Sequence, residues 1–447
     1  MGEVTLRSSN AKGSAWMAGL CAAVTLFVAV DPLRLSIIGV DPSFTAKRVK
    51  QPLPSQAVFP QDANSRLERA TKMAVEYGAM GPESLAFDVS GNGPYTGVAD
   101  GRILRWMDGG WQEFAHTSSN RTSTTCKPGQ AMPHVIKSEH ICGRPLGLRF
   151  NKKDGDLYVA DAYLGLLKVG QQGGEAMRLV TEVEGSHLSF TNDLDIASDG
   201  SVYFTDSSSK YQRRNFFLLV LSGDDSGRLL KYNPRSGETS VVLRGLQFPN
   251  GVTLSKDESF LVIAESVPGR LLRHWLKGPK AGETEVMAVL PGYPDNVRVN
   301  EQGDFWVAMH CRRNLASMIS GAFPWLRRAL LQLPIPFKHI YHLFNGGPPH
   351  GILAKYSSDG EFMDVLEDKS GTVVNFGGAL MSPSFITVAD MSQAEQLHVC
   401  RVLCRHHRSL RLLMCRKLSS YKSAEFPCAD LAAIRATTVE ITPNKVQ

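Results

Sequence analysis

The chain has 447 residues, of which 43% are hydrophobic and 21% charged, a balance that excludes a largely disordered or collagen-like protein. Its 40 Gly and 24 Pro are spread along the whole length and promise many turns, which suits numerous short strands better than a helical bundle. Lys and Arg number 49 against 43 Asp and Glu, a net charge of +6 with no aromatic-interleaved basic stripe before the last fifty residues, so no nucleic-acid partner is expected.

The first element in chain order is an uncharged apolar run, Ser14 to Val30 (SAWMAGLCAAVTLFVAV), preceded by Arg7 and Lys12 and closed by Asp31. It is at the lower limit for a bilayer-crossing helix, and Val28 and Val30 stand where a cleavage site wants small residues. Over residues 1–34 a signal peptide and an uncleaved signal anchor therefore both stay open. Either sends the rest into the secretory pathway, to the endoplasmic reticulum lumen or the vacuole, free there or held to the membrane by this segment. Residues 35–80, with Pro52, Pro54 and Pro60, read as a linker and N-terminal strand region.

From Gly81 a pattern repeats: a polar or Pro-containing lead-in, a short alternating strand, an Asp/Gly/Asn turn, then a second strand ending near an acidic residue. The passes are GPESLAFDVSGNGPYTGVADGRILRW, RPLGLRFNKKDGDLYVADAYLGLLKV, TNDLDIASDGSVYFTDSS, FPNGVTLSKDESFLVIAES and YPDNVRVNEQGDFWVAMH. They recur roughly every 45 to 65 residues, the spacing of four-stranded blades in an all-β propeller; an irregular two-sheet sandwich is the alternative. Within the first interval, Asn120-Arg121-Thr122 is an N-glycosylation sequon, and Cys126 and Cys142 are spaced to close a disulfide around a polar, Pro-broken loop.

After the fifth pass, RRNLASMISGAFPWLRRALLQLPIPFKHIYHLFNGGPPHG interrupts the repeat with a basic, amphipathic helix expected around Trp325 to Leu333. Three readings are open: packed on the flank, a lid over the tunnel, or resting on a membrane surface, with His350 within reach of a site. Beyond residue 382 the alternation stops. RVLCRHHRSLRLLMCRKL is basic, and Cys400, Cys404, His406, His407, Cys415 and Cys428 do not match a tight zinc spacing. Residues 81–382 are thus expected to form the propeller and 383–447 an atypical basic tail, leaving the last blade incomplete or imperfectly closed.

In a propeller the residues just before each innermost strand meet at one mouth of the tunnel. Those positions hold Glu83, Leu146, Asn192, Asn250 and the pair Asp295-Asn296. Two carboxylates and three amide carbonyls form a hard-oxygen set that suits calcium, where each alone would be an ordinary turn residue.

The segments GPESLAFD, CGRPLGL, LYVADAYLGLLKV, TNDLDIASDGSVYFTDSS, FPNGVTLS and YPDNVRV resemble the plant strictosidine synthase-like proteins. These are grouped with the calcium-dependent paraoxonases, gluconolactonases and diisopropyl-fluorophosphatases. The resemblance runs from about Gly81 to Phe376 and implies a six-bladed propeller, a small-molecule substrate and, for the hydrolase branch, a catalytic calcium held by Glu83, Asn192, Asn250, Asp295 and Asn296. The paraoxonase His pair is matched by Leu146 and Asp161, so Asp161 becomes a candidate general base. Asp295 matches the metal-bound Asp that serves the phosphatase branch as nucleophile or water-orienting group. Metal-assisted hydrolysis of an ester, lactone or related bond is the leading expectation. Pictet-Spengler condensation in alkaloid biosynthesis is disfavoured because the condensing Glu has no match after GTVVNF, and a non-catalytic ligand-binding propeller is the third reading.

Overall fold

A computed structural model describes residues 9–30, 36–41, 43–51, 60–69, 75, 78–130, 132–333, 335, 339–340, 351–369, 376–382, 385–390 and 400–403. His350 and the Cys and His residues from Cys404 onward lie outside them. The apolar N-terminal run forms α1 (Ser9–Val30), and no helix among the described residues is long and apolar enough to cross a membrane.

The first sheet runs β1 (Glu83–Ala86), β2 (Tyr95–Gly97), β3 (Arg102–Met107) and β4 (Gly110–His116). Helix α2 (Met132–Cys142) follows, tied by the Cys126–Cys142 disulfide expected from the spacing. The second sheet is β5 (Pro145–Phe150), β6 (Leu157–Asp161), β7 (Gly165–Val169) and, after the two-residue β8 (Gly174–Glu175) that pairs back with β4, β9 (Met177–Val180). A small hairpin, β10 (Glu182–Val183) with β11 (Ser186–His187), leads to the third sheet. That sheet is β12 (Thr191–Ile196), β13 (Val202–Asp206), β14 (Gly227–Tyr232) and β15 (Thr239–Leu246), with α3 (Phe216–Ser222) inserted before β14. The fourth is β16 (Pro249–Leu254), β17 (Phe260–Glu265), β18 (Arg270–Trp275) and β19 (Thr284–Val289). The fifth is β20 (Gly292–Val299), β21 (Phe305–Arg312), β22 (Ile352–Tyr356) and β23 (Phe362–Glu367), with α4 (Leu315–Ala322) and α5 (Pro324–Gln332) between β21 and β22.

A three-stranded sheet of β24 (Phe376–Ser382), β25 (Phe385–Asp390) and β26 (Cys400–Leu403) comes last. The innermost strands β1, β5, β12, β16, β20 and β24 each lie beside the next, and β24 lies beside β1. The arrangement is an all-β propeller of five full blades, with the three-stranded sheet between the fifth and the first. The boundary expected at residue 382 falls inside that sheet, since β25 and β26 come from the stretch read as tail.

The cores lie between blades. Leu261 and Ile263 of β17 pack toward the third blade with Tyr203 and Leu229, whereas Val262 and Ala264 pack toward the fifth with Val307 and Ile352. A middle strand buried on both faces has no polar side to show, which is why FLVIAE is continuously apolar while the inner strands alternate. Inner strands approach closely through the glycines of RPLGL and FPNGV: a Cβ on Gly147 would stand 2.7 Å from Asp193 Cα, and one on Gly251 2.4 Å from Val297 N.

A cap covers the tunnel end where the inner strands begin. Leu146, Phe190 and Phe248, at or just before those strands, share one apolar cluster with Leu218, Leu219 and Leu221 of α3, Leu331 of α5, and Ile38, Phe44 and Val49 of the N-terminal segment. Buried Arg327 of α5 donates to the Lys47 and Ser222 carbonyls, fastening helix and segment together.

Candidate metal and acid–base site

Every inner strand breaks its pairing register at its start: between Glu83 and Ala86, Pro145 and Gly147, Thr191 and Leu194, Pro249 and Val252, and Pro294 and Val297. Glu83, Leu146, Asn192, Asn250, Asp295 and Asn296 all lie within these irregular intervals. A bulge re-aims a side chain away from the strict up–down alternation. All six residues are buried.

Asp295 lies near both Glu83 and Asp193, and Asn250 hydrogen-bonds to it. Burial first, and then the like charge of Glu83, push the Asp295 carboxyl well above the usual range. Burial also raises Glu83, against the opposing pull of Arg144, whose Nη2 donates to Glu83 Oε2 at 3.1 Å. Asp193 is held in bidentate fashion by Arg298, at 2.6 and 3.0 Å, and Glu139 by Arg213 at 2.7 Å. Among the described residues Asp295, by contrast, has no Lys or Arg ion pair, and its Oδ2 has no hydrogen-bond partner; nor does Asn250 Oδ1. Hydroxyls brace the set from behind. Asn192 Nδ2 donates to Ser207 Oγ, Ser207 donates to the Pro249 carbonyl, Thr205 to the Asn250 carbonyl and Ser266 to the Pro294 carbonyl.

The donor chemistry fits a hard divalent cation. Two buried carboxylates, of which Glu83 raises the pKa of Asp295, are relieved by a positive charge between them, and an orphaned carboxylate oxygen and amide carbonyl are what such an ion would satisfy. Among the described residues no group of three or more His, Cys, Asp or Glu is spaced to hold a metal, and the set here is of another kind, carboxylate plus amide.

Asp161 is fully buried and occupied. Its Oδ2 accepts from the Arg144 amide at 2.8 Å, and its Oδ1 from the Tyr163 and Leu164 amides at 3.0 Å each. The expected base is thus spent on its own loop. Its counterparts act alike: Asp206 accepts from the Phe190 amide and Arg228, and Glu265 from the Gln247 amide and Arg270. In the second, third and fourth blades the acid closing the second strand is a clamp that ties the blade to the start of its own inner strand. Leu146, at the other position of the paraoxonase pair, joins the apolar cap.

In the fifth blade Met309 takes the clamp's place, and the next residue, which is Ser207 or Ser266 in the preceding blades, is His310. His310 Nε2 lies 3.4 Å from Asp295 Oδ2. The side chain is 28% exposed, yet enough protein surrounds it that burial lowers its pKa to about 4, so the ring is neutral at physiological pH. Inspection of positions 146 and 161 finds no imidazole; the signal was the break in the series VADA, FTDS, IAES to VAMH.

Comparison with known proteins places these observations. The strictosidine synthase family model matches residues 192–279, and the strictosidine synthase-like N-terminal model residues 61–106. Strictosidine synthase-like protein 3 of Arabidopsis thaliana is 49% identical over 379 residues, covering 82% of this chain and 96% of that protein. The adipocyte plasma membrane-associated protein of Gallus gallus is 36% identical over 325 residues, covering 70% and 74%. Among solved structures, a gluconolactonase from Xanthomonas campestris superposes with a TM-score of 0.49 at 14% identity, covering 80% of this chain and 98% of that one.

Proposed function

The chain belongs to the strictosidine synthase-like family, and from that premise we propose that it is a six-bladed propeller hydrolase that cleaves an ester, lactone or related bond with the help of calcium. The sheet β24–β26 serves as the sixth blade. Glu83, Asn192, Asn250, Asp295 and Asn296 hold the ion, which when bound supplies Lewis-acid polarisation of a substrate oxygen.

The observation that carries the reading is the Asp295–His310 pair: a buried carboxylate with an unpartnered oxygen beside a neutral imidazole. His310 accepts a proton from the attacking water at Nε2, and the Asp295 carboxylate stabilises the imidazolium that results. The cap packed on Leu146, Phe190 and Phe248 keeps bulk water from the mouth. The disulfide and the exposed sequon at Asn120 support a secretory compartment, with Asn120 glycosylated.

The test is turnover of a panel of aryl esters and lactones with and without a chelator. Activity is expected to require calcium and to fall by about 10²-fold or more in Asp295→Asn and His310→Gln. Turnover indifferent to chelation and to both substitutions would refute the mechanism, and tight calcium binding without any turnover would make the chain a binding propeller.

A further inference from the structure

Large apolar side chains exposed to solvent are not scattered evenly over this molecule. Among the described residues five lie on α1 and four on the α4–α5 hairpin, against six dispersed elsewhere. On the hairpin, Leu315, Ile319 and Phe323 stand at successive four-residue steps, one ridge of a helix, and Trp325 is 70% exposed beside them. Helix α1, with Trp16 82% exposed, comes up against α5. Isolated surface apolar residues need no explanation, but a grouped set does.

The charge around the hairpin is one-sided. No Asp or Glu occurs between Asp304 and Asp359, whereas Arg312, Arg313, Arg327, Arg328, Lys338 and Lys355 all fall there. Of these, Arg312 pairs with Glu367, Lys355 with Asp304, Arg313 donates to the Pro268 carbonyl and Arg327 is turned to structural use inside the cap, whereas Arg328 is exposed on α5. An apolar ridge with an exposed arginine beside it, an aromatic at its border and no carboxylate on either of its helices has the chemistry of a helix that lies in a bilayer interface. Anionic headgroups meet Arg328 and the acyl boundary receives the ridge.

We propose that the α4–α5 hairpin, together with α1, docks on the surface of an anionic lipid bilayer, lying in the interface. Because α5 also packs through Leu331 on the cluster that holds Leu146, Phe190 and Phe248, the docked face sits on the same side of the propeller as the start of the inner strands. The docking stands independently of any hydrolytic activity.

The experiment uses the full-length chain with vesicles of phosphatidylcholine and phosphatidylglycerol whose acyl chains are brominated, reading tryptophan quenching. Wild type is expected to show a quenched component that shrinks in Trp325→Phe, disappears when Trp16→Phe is added, is smaller in pure phosphatidylcholine and weakens at high salt. Ile319→Trp placed in the Trp16→Phe, Trp325→Phe chain is expected to restore it, a second reporter on the exposed ridge of α4. Trp325 equally accessible to aqueous acrylamide with and without vesicles would overturn the proposal. So would a Trp325 shielded in lipid-free solution together with a dimer mass in sedimentation, which would mean that a second copy covers the face.

Discussion

Asp295 concentrates the electrostatic cost of the site. In the metal-free protein it is buried beside Glu83, and burial and that like charge hold its carboxyl well above its unfolded value. An acid whose folded pKa is raised is neutral in both states at low pH and contributes no penalty there. As pH rises past the unfolded value, the unfolded chain ionises first, and the fold loses stability until the folded group ionises too. In chelator, the melting temperature should therefore fall as pH rises from about 4 towards neutrality. Asp295→Asn should flatten that decline and melt higher than wild type near neutral pH without metal, yet lose the gain that calcium gives wild type. Scanning calorimetry of both proteins across pH, with and without calcium, measures this; a variant that melts lower than wild type in chelator would show that Asp295 is not a site of repulsion. His310 was not legible by matching to positions 146 and 161, because those lie in the second blade and the imidazole is in the fifth, where it reaches Asp295 across the β20–β21 pair.

At the scale of the strand, the legible part was what repeats. Five lead-ins at one phase pointed to one end of the tunnel, because backbone repetition puts equivalent residues at equivalent places. The acids closing the second strands repeat as well, and periodicity does not separate a clamp from a base; only the bonds of Asp161 to the Arg144, Tyr163 and Leu164 amides do. The register breaks that accompany the site residues leave no mark in composition. What they do require is close approach, as at Gly251, where a Cβ would meet the Val297 nitrogen and the Asn296 Cα, both backbone atoms with no rotamer to yield. Gly251→Ala should destabilise the protein by at least the roughly 1–3 kcal/mol typical of overpacking. By pushing β20 away from β16 it should also weaken calcium binding, since Asn250 and Asn296 stand on either side of the contact. Denaturant melts and calcium titration by calorimetry check the two effects; an alanine accepted at wild-type stability would mean that the inner strands are not so tightly packed.

For the whole molecule, the question is how the ring closes. β24 lies beside both β20 and β1, so it occupies the gap between the fifth blade and the first, and residues read as tail supply the two strands that pair outward from it. The sequence past residue 382 concealed this because PSFITVAD and VCRVL are separated by a polar stretch and followed by a basic, Cys-rich one, which masks a strand pair by composition. Without the sheet, β1 and β20 would each turn a flank to water, and an open ring offers unpaired strand edges and uncovered apolar faces to other molecules. A chain ending at residue 375 should therefore be recovered mostly as aggregate, or melt well below the full-length protein where it stays soluble. Sedimentation velocity and thermal unfolding of the two chains decide it. A truncated monomer as stable as the whole would mean that five blades hold their curvature unaided, and that the last sheet is an appendage to the ring.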